Sequence, residues 1–137
     1  MDRQNVCIKK AVEIVKSLGY KCFYPKSNTT NIDNITYCYI TNGENISYMQ
    51  SNWYGDAVEL CCLYKPNKEC GSSCKIYNGK NEEFAFEELT KDVIESTFKL
   101  PNWIKRRAEA NNVKLWNWED YCKNSLTIKL NFELIEM

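Results

Sequence analysis

Residues 35–64 constrain the fold more than any other stretch. Ile35-Thr36-Tyr37-Cys38-Tyr39-Ile40-Thr41 is β-branched and aromatic, the composition that suits a pleated surface. Asn42-Gly43 follows directly, a strong hairpin signal because both residues tolerate the left-handed backbone of a tight turn. Asn45 to Trp53 then reads as the return strand. Ile46, Tyr48 and Gln50 share one face, and Ser47, Met49 and Ser51 share the other. Tyr54-Gly55-Asp56 turns the chain again, and Val58 to Tyr64 is apolar on both faces, as a central strand requires. Strands joined by turns this short pair antiparallel.

The flanking segments supply the cover. Ile8, Ala11, Val12, Val15 and Leu18 recur at helical spacing, and Gly19 follows as a helix stop. Lys21 to Tyr24 reads as a short strand closed by Pro25, Ser27 to Asp33 as a polar loop, and Cys74 to Tyr77 as a further short strand. Phe86, Leu89, Val93, Ile94 and Phe98 predict a second helix that stops before Pro101. Trp103, Ile104 and Ala108 predict a third, with Pro101 at its first position. Asn117 and Asp120 form a cap pattern that opens a helix over Trp118 to Lys123. The alternation in Leu126 to Leu134 predicts a closing strand with one wet face. The expected fold is α+β, one domain over residues 1–137. It has an antiparallel sheet of about five to six strands, an N-terminal helix and two to three later helices on one face.

Composition narrows the class of function. Lys+Arg and Asp+Glu are both 18, so the net charge is zero and no bulk field draws the chain to nucleic acid or an anionic membrane. No apolar run approaches the length of a membrane span, and the charged N-terminal segment does not read as a secretory leader. The expectation is a cytoplasmic protein whose eight cysteines are reduced and mostly buried.

The chain has no histidine. That excludes Ser-His-Asp and Cys-His catalysis, histidine-ligated zinc and imidazole acid–base chemistry. No glycine-rich phosphate loop is present, so no cofactor is expected. Among metal ligands the best cluster is Cys61-Cys62 with Cys70 and Cys74. Adjacent Cys61 and Cys62 on a strand point to opposite faces, however, so only one of them, such as Cys62, joins Cys70 and Cys74, and a fourth ligand would have to come from Cys22, Cys38 or elsewhere. The alternative is core thiols beside loop thiols. Glu88, Asp92 and Glu95 share one face of the predicted second helix, read either as a solvated surface or as a local acidic stripe. Lys105, Arg106, Arg107 and Lys114, with Trp103, Trp116 and Trp118, are the components of a single-strand nucleic-acid platform, but large aromatics more often pack into a cluster with the cations left outside as a solvated face. A binding protein would carry its contacts on loops held by the sheet. The polar loops Ser27–Asp33 and Asn67–Ser73 fit, with Asn67, Lys68, Glu69, Ser72 and Ser73 as contact candidates.

Several segments carry a resemblance together: Leu18-Gly19-Tyr20 before Tyr24-Pro25, Tyr37-Cys38-Tyr39-Ile40, Ile46 to Gln50, Tyr64 to Gly71, and Pro101-Asn102-Trp103. Over most of its length the chain resembles short accessory proteins carried by phages and mobile elements of low-GC bacteria. Many such proteins inhibit host defence, anti-CRISPR proteins among them. The resemblance implies a non-catalytic inhibitor that binds a bacterial defence effector, such as a Cas nuclease, by protein–protein contacts. A small nucleic-acid-binding module and a cysteine-ligated metal protein are the alternatives.

Overall fold

The computed structural model describes residues 3–28, 31–65, 68–79 and 84–137, with the backbone alone at 64–65 and 68–73. The order is α1 (Arg3–Ser17), β1 (Lys21–Lys26), a short 3-10 turn (Ile32–Asn34), β2 (Tyr37–Thr41), β3 (Ile46–Ser51), β4 (Ala57–Lys65), β5 (Lys68–Tyr77), α2 (Lys91–Thr97), α3 (Asn102–Ala110), α4 (Trp118–Asn124) and β6 (Glu133–Glu136). The strands form one antiparallel sheet in the order β5-β4-β3-β2-β1-β6. The α+β class, the sheet and the N-terminal helix are as the sequence predicts.

The end of α1 shows why local sequence suffices there. Gly19 adopts φ 99°, and its N–H donates to Lys16 O at 3.0 Å while Tyr20 N–H donates to Val15 O at 3.4 Å. This double closure satisfies the last helical carbonyls and needs a left-handed residue at the glycine position. Inside the helix, Asn5 is fully buried and its amide donates to Ile32 O and Ile35 O at 3.0 and 3.1 Å, which ties the 3-10 turn to α1.

The sheet is covered on both faces. Cys22, Cys38, Ile40, Met49, Val58, Leu60 and Ile76 meet Cys7, Ile8, Ala11, Val12 and Val15 of α1 and Ile94 of α2. The alternate residues Tyr37, Tyr39, Ile46, Tyr48 and Leu63 face the other way, where Tyr121 of α4 packs with Trp116, Trp118, Leu130 and Phe132. The later helices therefore do not all share one side: α2 lies with α1 and α4 lies opposite. α3 packs Ile104 on Cys62, which shares the α1 face of β4 with Val58 and Leu60, and Leu100 and Leu115 join them. The physical reason is the tyrosine-rich second face of β2 and β3, whose rings are too large and apolar to leave wet and draw the aromatic segment after α3 across the sheet.

Three predicted elements differ. Phe86 and Leu89 are buried but not helical. The second helix starts at Lys91, where Thr90 Oγ1 caps Val93 N–H at 3.4 Å, and Phe86 sits at φ 46° in a turn held by its N–H to Asn78 O. The closing strand is only Glu133–Glu136. Before it, Asn131 N–H donates to Thr127 O and Phe132 N–H to Ser125 O, both at 2.7 Å, so local bonds replace a ladder and leave Leu126 and Ile128 exposed. Residues 68–73, expected to be a polar loop, belong to β5, which pairs with β4 through two register shifts near Leu63. The Asn117 cap is as expected: its side chain accepts Asp120 N–H at 3.0 Å and Asp120 Oδ2 accepts Asn117 N–H at 3.0 Å.

Tyr20 closes the first core by donating to Glu95 Oε1 of α2 at 2.5 Å. Burial, and then that carboxylate, push its phenol up to about 12 from an ordinary value of 10. Burial also raises Tyr39 and Tyr121. A folded-state pKa raised above the unfolded value contributes stability that is intact below the unfolded pKa and is lost as pH rises. The melting temperature is therefore expected to fall steeply above pH 10, with these tyrosines ionising only as the chain unfolds. Tyr20→Phe should cost about 1.5–3 kcal/mol at pH 7, the usual worth of a hydrogen bond to a charged group. Thermal unfolding from pH 7 to 12, followed by tyrosinate absorbance, checks both.

Candidate functional site

The turn between β3 and β4 is built almost entirely by Asn52. Its Oδ1 accepts Asp56 N–H at 3.0 Å and Ala57 N–H at 3.2 Å, and its amide nitrogen donates to the Asp56 carboxylate. Its backbone N–H donates to Ala57 O, and its carbonyl accepts Gly55 N–H and the Gln4 side-chain amide at 3.1 Å each. Gly55 adopts φ 69°, and a Cβ there would meet Arg3 Cγ at 2.6 Å and the Arg3 backbone at 2.8 Å. Asp56 O accepts Asn78 N–H at 2.9 Å from the end of β5. The turn is thus anchored to α1 and to the neighbouring strand.

This braced turn holds two large aromatics in solvent. Trp53 is 83% exposed and Tyr54 is 74% exposed. Beside them Tyr77, opposite Ala57 in the register, is 58% exposed. The strip that continues from Tyr77 along the second face is polar and internally matched. Tyr48 Oη donates to Gln50 Oε1 at 2.9 Å, Gln50 Nε2 donates to Glu59 Oε2 at 3.3 Å, and Lys75 Nζ lies 3.9 Å from Glu59 Oε1 and 5.5 Å from the Tyr77 ring centre. Each cross-strand step follows the register, Gln50 opposite Glu59 and Glu59 opposite Lys75. α4 covers the tyrosines of β2 and β3 together with Leu63 of β4, and the polar strip of Gln50, Glu59 and Lys75 lies on the same face toward Tyr77.

The residues chosen from sequence fare unevenly. Asn67 lies outside the described residues. Lys68, Glu69, Ser72 and Ser73 form part of β5, not of a loop, and their side chains are not described. Cys61 and Cys62 do point to opposite faces, since Cys61 pairs with Tyr48 and Cys62 with Ser47. Cys62 packs on Ile104, whereas Cys74 sits opposite Leu60 against the first core, and Cys70 is described only as backbone. Among the described residues no three histidine, cysteine or carboxylate side chains are gathered for a metal ion. The acidic stripe is also broken: Glu88 precedes α2, and Glu95 is taken by Tyr20. In the basic segment, Lys105, Arg106 and Arg107 are exposed on α3, but Lys114 is held by Asp120 Oδ1 at 2.9 Å. Trp116 and Trp118 are packed, with Trp118 4.6 Å from Phe23 and Trp116 5.2 Å from Tyr121, ring centre to ring centre. Trp103 remains 50% exposed.

Trp53, Tyr54 and Tyr77 were missed. Their signal was present as two consecutive large aromatics at a turn, where small polar residues are usual. No helix among the described residues is long and apolar enough to cross a membrane. No family model, curated protein or solved structure matches the chain.

The turn gives a direct test of its own rigidity. Gly55→Ala is expected to destabilise the protein by on the order of 1–3 kcal/mol, since the new methyl group meets the Arg3 backbone and the left-handed backbone is strained. Denaturant unfolding measures this.

Proposed function

We propose that this chain is a non-catalytic binding protein that docks on a partner protein through Trp53, Tyr54 and Tyr77. The observation that carries this reading is the exposure of Trp53 and Tyr54 on a turn immobilised by Asn52 and Gly55. Large aromatics are the commonest anchors of protein interfaces, because two rigid torsions bring much contact area at little entropic cost. Holding them in water on a pre-ordered turn removes most of the ordering cost of association. The strip of Gln50, Glu59 and Lys75 beside them is a polar rim of the kind that surrounds such anchors.

The target class comes from the resemblance to phage and mobile-element accessory proteins. It is a bacterial defence nuclease, inhibited by occupation of a working surface. The absence of histidine in the chain is in keeping with a binder.

The test is DNA cleavage by a panel of purified CRISPR-associated nucleases in the presence of this protein, with binding measured in parallel. Stoichiometric inhibition of at least one nuclease is expected. The double substitution Trp53→Ala, Tyr54→Ala should weaken binding by about thirtyfold or more, as loss of an interface anchor does, with little change in melting temperature. Inhibition that is as potent in the double variant would remove the turn from the interface, and inactivity against every nuclease in the panel would reject the target class.

A further inference from the structure

A second surface, separate from the aromatic turn, has the composition of a ligand site. Residues 111–115 fold back along α3 after Ala110, with Val113 N–H donating to Ala108 O at 2.8 Å. Between helix and return lies a cleft of about 280 Å³. Ile104, Val113 and Leu115 form its apolar walls, and Trp103, Arg107 and Asn111 its polar and aromatic row. These last three stand at i, i+4 and i+8, so the helical repeat places them one above another.

Each member of the row has unused capacity. Trp103 leaves half its surface in water. Arg107 makes no ion pair among the described residues, and neither do its neighbours Lys105 and Arg106. The Asn111 amide nitrogen is occupied by Arg107 O at 2.8 Å, which leaves its side-chain oxygen as an acceptor. Lys105 and Arg106 add two exposed cations to α3 outside the cleft lining, and Glu109 is the one acid on that helix.

We infer that the α3 cleft is a nucleotide site, in which a base stacks on Trp103 and its phosphate is held by the Arg107 guanidinium. The chemistry selects this class in three steps. A planar aromatic body is what a half-exposed indole lining an apolar cleft favours. A phosphate suits the planar guanidinium fork of Arg107, which is exposed and makes no ion pair among the described residues. A donor on the base edge meets the free Asn111 oxygen. The volume lies just below the usual range for small-molecule pockets, about 300–1,000 Å³, so the cleft takes one base at a time. The nucleotide is either free or one unit of a single strand.

The probes are a fluorescein-labelled ten-nucleotide single strand, followed by anisotropy, and the four unlabelled ribonucleoside monophosphates, followed by calorimetry, each at 50 and 200 mM salt. Saturable binding of either probe is expected. Trp103→Ala and Arg107→Ala should each weaken it about tenfold, Arg107→Lys should weaken it less, and Arg107→Ala should lower the logarithmic salt slope by about one unit. All three substitutions are at exposed positions, and unchanged melting temperatures confirm the fold. Tight binding of the strand with none of the monophosphates assigns the site to single-stranded nucleic acid, and the reverse assigns it to free nucleotides. No saturable binding of any probe at 50 mM salt overturns the inference. So does binding that neither alanine variant weakens. The result is independent of the nuclease assay, because Trp53 and Tyr54 take no part in it.

Discussion

Burial of the sheet on both faces is the constraint from which the other features follow. Strands β2 and β3 place large apolar groups alternately, Cys38, Ile40 and Met49 toward one side and Tyr39, Ile46 and Tyr48 toward the other. A sheet that is apolar on both faces needs cover twice. The first cover is local, because α1 precedes the sheet and lies on it with α2. The second must come from far along the chain. It is delivered past the β2–β3 turn, where Trp118 N–H donates to Glu44 O at 3.0 Å and so starts α4 beside the hairpin. That turn is itself fixed by Thr41 Oγ1, which donates to Asn45 O at 2.6 Å and accepts Gly43 N–H at 2.9 Å.

The second cover is incomplete, and the candidate interface is where it stops. α4 is only seven residues long and spans the tyrosines of β2 and β3. Beyond them the same face changes chemistry from rings to the matched series Gln50, Glu59 and Lys75, and ends at Tyr77. Polar groups that satisfy one another across strands leave an edge wet without leaving it sticky. The aromatic turn at the end of this strip then presents exposed apolar surface on a braced backbone. Its rigidity is an effect of α1, since Gln4 and Arg3 brace Asn52 and Gly55 from the first helical turn. The same helix that seals the first core therefore presents the anchors of the proposed interface.

The cysteines illustrate how context decides chemistry. Cys22 and Cys38 are fully buried together, and Cys38 is pushed well up by its contact with Cys22 and by burial. Cys7 is raised to about 11, by burial first and then by Asp56, against the opposing charge of Arg3. With their ionisation disfavoured, the Cys7 and Cys38 thiols are poor nucleophiles and poor metal ligands at neutral pH. They act here as small apolar groups that let strands and α1 approach closely.

Features set by short-range chemistry were legible in the residues alone. The Gly19 stop, the Asn42-Gly43 hairpin, the opposite orientations of Cys61 and Cys62 and the Asn117–Asp120 cap each depend on neighbours within a few positions, so periodicity and capping rules determine them. What depended on distant partners was not. Phe86 and Leu89 keep a helical spacing but are buried by a turn, because Asn78 binds the backbone there. Leu126 and Ile128 keep a strand alternation but stay in water, because β1 pairs with residues 133–136. The candidate site follows the same division. Trp53, Tyr54, Trp103 and Arg107 are visible as residue types, and their local composition marks turn and helix. Which tryptophans remain free was decided by tertiary structure alone, since the aromatic second face of the sheet consumed Trp116 and Trp118 and left Trp53 and Trp103 with exposed surface.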